Sequence, residues 1–153
     1  MSVNLSMMAL KPSMISRFNA REEDQADIAI IWQVLQNAFN HESWALLDGR
    51  DNIVAIGTLY EMWKGCAEAG LAVSADVNKS PYNPVMREMC ITIKGYLESA
   101  FYARQLRRMQ AHIRSGNPAR LRFVRWLGLQ CNGYLPKWGP NGEDYWIVAK
   151  VKS

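Results

Sequence analysis

The segment from Asn83 to Ala103 constrains this chain more than any other. Asn83 followed by Pro84 is a helix start: an amide side chain able to accept from the first free backbone N–H groups, then a proline whose missing donor costs nothing there. Val85, Met89, Ile93, Leu97 and Ala100/Phe101 then recur at helical spacing. The pattern predicts one long helix over 84–103, with strand-like segments on both sides of it. Two strands joined in this way can lie parallel only through a crossover, so the sheet is expected to be mixed, with this helix on one face.

The remaining elements fit around that unit. Residues 13–20, SMISRFNA, alternate as a short strand would, and residues 1–12 ahead of them are expected to be a flexible lead-in. Arg21-Glu22-Glu23-Asp24 opens a helix with acids in its first turn, where the macrodipole favours them; Ile28, Ile31, Leu35 and Phe39 give it an apolar face. Over 43–60 two apolar runs flank Asp48-Gly49-Arg50-Asp51, a hairpin signal, and a third run, from Ala69 to Val73 or slightly longer, follows Lys64-Gly65. Beyond the long helix, Arg108–Arg114 alternates, with Met109, Ala111 and Ile113 inward and Arg108, Gln110, His112 and Arg114 outward. Asn117-Pro118 starts a last helix that stops at Gly128, and strands at about 130–137 and 144–151 flank the turn Trp138–Gly142. The order is β-α-β-β-β-α-β-α-β-β: an α+β class, three-layer α/β arrangement with helices on both faces of a mixed central sheet.

At 153 residues this is read as one domain, 1–153. No apolar run approaches the roughly 18 residues of a membrane span, and no basic stretch precedes an apolar one at the N-terminus, so neither a membrane nor a secreted setting is expected. Cys66, Cys90 and Cys131 are odd in number and widely spaced, which points to buried, unreactive thiols and to no metal site. Charge is more telling. Twelve of the fourteen acids fall between Glu22 and Glu98, and none occurs from Ser99 to Gly142, where Arg104, Arg107, Arg108, Arg114, Arg120, Arg122, Arg125 and Lys137 lie. Such a field suits an anionic partner, an acidic protein or packaged nucleic acid, docking on the 104–125 region; a solvated surface balanced by the acidic half is the alternative. Arg107, Arg108, Arg114 and Arg122 are the candidate docking residues.

The order of elements, and the passage Ser115-Gly116-Asn117-Pro118-Ala119-Arg120-Leu121 through Trp126-Leu127-Gly128-Leu129, resemble the GNAT family of N-acetyltransferases, with a second N-terminal helix short or absent. The resemblance implies acyl-CoA binding between the fourth and fifth strands. The backbone of Leu71, Ala72 and Val73 and the side chain of Asn117 would hold the cofactor, with Lys79, Arg87 or Arg120 reaching its phosphates and Glu68 as candidate general base. The sequence departs from the family at two places. The diphosphate loop, Gly-rich in the family, is here Lys79-Ser80-Pro81-Tyr82-Asn83-Pro84-Val85-Met86-Arg87, with no glycine and two prolines that remove amide donors. The position four residues before Gly128, where the family often has an acidic Tyr, is Val124. The passages Leu71–Asp76, Ser115–Gly128 and Tyr145–Lys150 look like short GNAT-like proteins encoded by tailed phages, one an internal virion protein.

Two readings stay open, ahead of a third, a stand-alone nucleic-acid-binding module, that has only the arginine cluster behind it and no helix-turn-helix, zinc-finger or RNP-like signature. One is a non-catalytic virion or host-interaction protein, in the host cytoplasm or the virion, which accounts for both departures. The other is an acyl-CoA-dependent N-acetyltransferase acting on an amine, with acetyl-CoA as cofactor and no Tyr to protonate the leaving thiolate. A general-base role for His112 and a binding role for Trp126, Trp138 or Trp146 are weaker possibilities within the second.

Overall fold

In a computed structural model, which describes residues 3–37, 40–77, 80 and 82–153, seven strands form one sheet in the order β1-β2-β3-β4-β5-β7-β6. These are β1 (Ser6–Ala9), β2 (His41–Leu47), β3 (Ile53–Trp63), β4 (Cys66–Val73), β5 (Arg108–Arg114), β6 (Gln130–Leu135) and β7 (Tyr145–Val151). The helices are α1 (Pro12–Ser16), α2 (Gln25–Asn37), α3 (Pro84–Ala103) and α4 (Pro118–Trp126). As expected from the long helix, β4 and β5 are parallel; the other registered pairs are antiparallel, so the sheet is mixed. The parallel register runs over Cys66–Glu68 against Arg108–Gln110 and stops there, lower on β4 than the Ala69–Val73 segment expected to take part.

The chain groups into two compact units: Met1–Tyr60 with Gly70–Tyr96, and Glu61–Ala69 with Leu97–Ser153. In the first, Leu10, Met14, Ile15, Ala20 and Ile31 pack with Ala45, Leu47, Ile56 and Ala72 in one apolar cluster. Trp44, one residue from Ala45, meets Tyr96 edge-on with ring centres 5.7 Å apart. Successive strand residues thus serve opposite faces. Gly57 pairs with Trp44 across β2 and β3, and a Cβ there would fall inside the indole, so only glycine fits. In the second unit Leu106, Met109, Ile113, Val124, Leu127, Leu129 and Val148 are buried. Asn117 caps α4 by accepting from the Arg120 amide at 3.2 Å, and Gly128, at φ 94°, ends it.

Three expectations fail at the N-terminal end. The strand expected over 13–20 is helix α1, and the strand itself lies earlier, in the segment expected to be loose. Pro12 has no amide to give a ladder but suits the first turn of a helix, and Met14 and Ile15 then both reach the core. α1 is also the short helix missing from the expected element order. The helix expected from Arg21 begins as a 3-10 turn over Glu22–Asp24, with α2 starting at Gln25. Asp24 does not sit in solvent at a dipole: it is fully buried. Phe39, placed on that helix by its spacing, lies outside the described residues.

Candidate functional site

In the first unit the groups that matter are backbone amides and what already occupies them. The Asp24 carboxylate accepts from the Val73 amide at 2.8 Å, and the Val73 carbonyl accepts from the Arg21 amide at 2.9 Å. At the start of α3, Asn83 Oδ1 accepts from both Val85 and Met86, at 3.0 and 3.1 Å, and its carbonyl accepts from Arg87. Pro84 has no amide. The first-turn donors that could hold an anion are therefore satisfied by the protein's own cap. Beside this helix end is an open cavity of about 470 Å³. Its charged lining is Arg17 against Asp48, Asp51 and Asp76, a field that repels anions. Asp48 also organises the β2–β3 turn, accepting from the Arg50 and Asn52 amides.

In the second unit the strands bring together two side chains 44 positions apart. His112 Nδ1 lies 2.7 Å from Glu68 Oε1, and both side chains are mostly buried. The same oxygen accepts from Gln110 Nε2 at 3.2 Å, and Gln110 Oε1 accepts from Arg108 Nε at 2.7 Å. The carboxylate fixes the imidazole: with Nδ1–H donating to Glu68, a neutral ring presents Nε2 as a proton acceptor. Trp138 stacks on His112, ring centres 4.5 Å apart and planes 5° from parallel, and meets Tyr145 edge-on at 5.0 Å. Buried Gly139 closes the turn that holds Trp138, leaving no room for a Cβ beside Tyr145 and the Glu143 side chain. Nearby, Tyr134 donates to Asp144 at 2.6 Å; this bond holds the Asp144 carboxyl below its ordinary value and pushes the Tyr134 phenol up.

No protein-family model matches the sequence, and no curated protein matches it either. Solved structures do resemble the fold. A candidate phosphinothricin N-acetyltransferase superposes with a TM-score of 0.76 over 98% of this chain and 99% of its own, at 13% identity. The spermidine N-acetyltransferase of Vibrio cholerae, solved with CoA and spermine, gives 0.70 over 96% and 95%, at 14% identity. The same organism's spermidine/spermine N-acetyltransferase, solved with manganese ions, gives 0.68 over 96% and 92%, at 15% identity. The chain has the GNAT fold.

The candidate residues on this GNAT fold divide between the units. Leu71, Ala72 and Val73 lie on β4 in the first, with the polar backbone groups of Val73 already engaged. Arg87 is exposed on the first turn of α3, and Lys79 lies outside the described residues. In the second unit the Asn117 side chain is used in capping α4, and Arg120 is half-buried in that helix's first turn. Glu68, the candidate general base, is mostly buried and holds His112. Val124 is buried. Of the four candidate docking arginines, Arg107, Arg114 and Arg122 are exposed, while Arg108 is half-buried and donates to Gln110 and Asn132. They do not form one patch: Arg108 and Arg114 stand at opposite ends of β5, roughly 20 Å apart at the rise of a strand. The cysteines differ from expectation too, since only Cys66 is buried, Cys90 is half-buried and Cys131 is exposed. Among the described residues no helix is long and apolar enough to cross a membrane.

Sequence reasoning missed the parts played by Asp24 and Gln110. Asp24 was visible only as one of three consecutive acids. The partners of Glu68 and His112 follow from a register that no local pattern encodes.

Proposed function

We propose that this chain is a GNAT-fold protein that acts by binding a partner and not by transferring an acyl group from CoA. One observation carries the reading: the amides that would hold the cofactor, those of Val73, Val85 and Met86, are already satisfied by Asp24 and Asn83. A diphosphate would have to displace the Asn83 cap, worth about 1 kcal/mol, and would then face Asp48, Asp51 and Asp76. The residues present do not fit CoA. The resemblance to short phage-encoded GNAT-like proteins, together with the arginines of 104–125, supports an anionic partner met in the virion or the host cytoplasm. Residues 1–153 would act as a single GNAT-like domain. Calorimetry with acetyl-CoA tests the proposal: no binding heat up to millimolar cofactor is expected, and a micromolar Kd would overturn it.

A second reading, an N-acetyltransferase acting on an amine, is favoured by the Glu68–His112 pair. The structural neighbours include a spermidine N-acetyltransferase solved with CoA, so acetyl-CoA and a polyamine are the substrates to try. Here His112 Nε2 would take a proton from the amine while Glu68 holds the ring and balances its charge. Glu68→Gln and His112→Ala would then each lower thiol release by about 10²–10⁴-fold. Absence of any turnover in the parent chain removes this reading.

A further inference from the structure

We infer that one end of the second unit, where the β3–β4 hairpin meets the start of β5 and the end of β7, binds single-stranded nucleic acid through Trp63, Lys64, Tyr102, Arg107 and Lys152. The inference rests on the binding reading above and names its partner. Backbone hydrogen bonds draw the segments together. The Gly65 carbonyl accepts from both Arg107 and Arg108, at 2.8 and 3.1 Å, and the Arg107 carbonyl accepts from Lys152 at 2.9 Å. Lys64, Arg107 and Lys152 therefore stand on three neighbouring segments spanning about 10 Å at ordinary strand spacing, and all three are exposed.

Arg108 stands on the opposite face of β5, where the amide oxygens of Gln110 and Asn132 hold its guanidinium, each at 2.7 Å, and it is not part of this surface. The acids of the neighbourhood are few: Glu61 is 3.7 Å from Arg104, Glu68 is engaged by Gln110 and His112, and Glu98 lies one helical turn before Tyr102.

Aromatic rings decide between the possible anions. Trp63 is 61% exposed and Tyr102 72% exposed. Lys150 Nζ also lies 5.3 Å from the centre of the Tyr102 ring, which keeps that ring within the basic field. Exposed rings beside lysine and arginine offer bases a stacking surface and phosphates a counter-charge, the combination that holds single strands without reading their sequence. An acidic polypeptide would use the charges and leave the rings idle.

The test is fluorescence anisotropy of an end-labelled oligothymidylate titrated with the full chain over a series of salt concentrations. Replacing Lys64, Arg107 and Lys152 together by Gln should make the slope of log K against log salt shallower by about 2, at about 0.7 per lost phosphate contact. Trp63→Ala and Tyr102→Ala should each weaken binding roughly 5- to 150-fold with the salt slope unchanged. Circular dichroism melting confirms that each variant is folded. No binding at low salt, or binding that these variants leave intact, overturns the inference. Displacement of the label by polyglutamate as readily as by unlabelled oligothymidylate overturns it as well, and assigns the patch to an acidic protein. Because the titration contains no CoA, failure here leaves the reading on CoA standing or falling by itself.

Discussion

Asp24 carries more of this account than any other side chain. A fully buried carboxylate is costly unless its lone pairs are used, and this one takes the Val73 amide. Asp24→Ala should lower unfolding free energy by about 2–3 kcal/mol in a denaturant titration, the worth of a charge-assisted bond plus an orphaned donor; Asp24→Asn should lose less. A second pair gives a pH signature. Tyr134 donates to Asp144, holding that carboxyl low and its own phenol high. The Asp144 contribution to stability is full above about pH 4 and is lost as pH falls through the depressed folded value. The Tyr134 contribution is full below about pH 10 and is lost as pH rises through the raised folded value. A near-ultraviolet absorbance titration should therefore show one tyrosine ionising late, and that step should return to the ordinary range in Asp144→Asn and vanish in Tyr134→Phe. At this scale little was legible in the sequence. Glu68 and His112 could be picked out as titratable groups on strands, but their pairing depends on β4 and β5 lying parallel in one register.

Helix ends were the most legible elements, because their chemistry is local. Asn83-Pro84 and Asn117-Pro118 both announce a cap followed by a first-turn proline, and both caps are made as the residues imply. Asn83→Ala and Asn117→Ala should each cost about 1 kcal/mol of stability, and Asn83→Gly only a few tenths, by chemical denaturation. A loss near zero at Asn83→Ala would show that its side chain does not hold the Val85 and Met86 amides. The N-terminal elements were harder to read. Eight residues of alternation, SMISRFNA, cannot separate a strand from one turn of helix followed by a loop, and Pro12 just outside that window decides the matter. β4 extends the Ala69–Val73 run by three residues, because the Lys64–Gly65 turn, with Gly65 at φ 84°, starts the strand at Cys66.

For the whole molecule, the crossover implied by the long helix fixed the mixed sheet in advance, and charge was the other property readable at a distance. The second unit holds eleven Lys/Arg and five Asp/Glu, a net of +6; the first holds seven and nine, a net of −2, together giving the +4 of the chain. Arg107, Arg114 and Arg122 are exposed, with no carboxylate within ion-pairing distance among the described residues, so replacing the three by Gln should change each site's stability by no more than about 0.5 kcal/mol. Retention on heparin should fall in the same variant. Unfolding with unchanged retention per folded molecule would make these arginines structural counter-charges. What composition could not convey is that, on this GNAT fold, the Val73, Val85 and Met86 amides are filled from within by Asp24 and Asn83. That claim is tested most directly by two-dimensional ¹H–¹⁵N spectra recorded as CoA is added. The Val73, Val85 and Met86 amide resonances should hold their positions up to millimolar CoA, because Asp24 and Asn83 occupy them. Saturable shifts of those three amides at micromolar CoA would contradict the account.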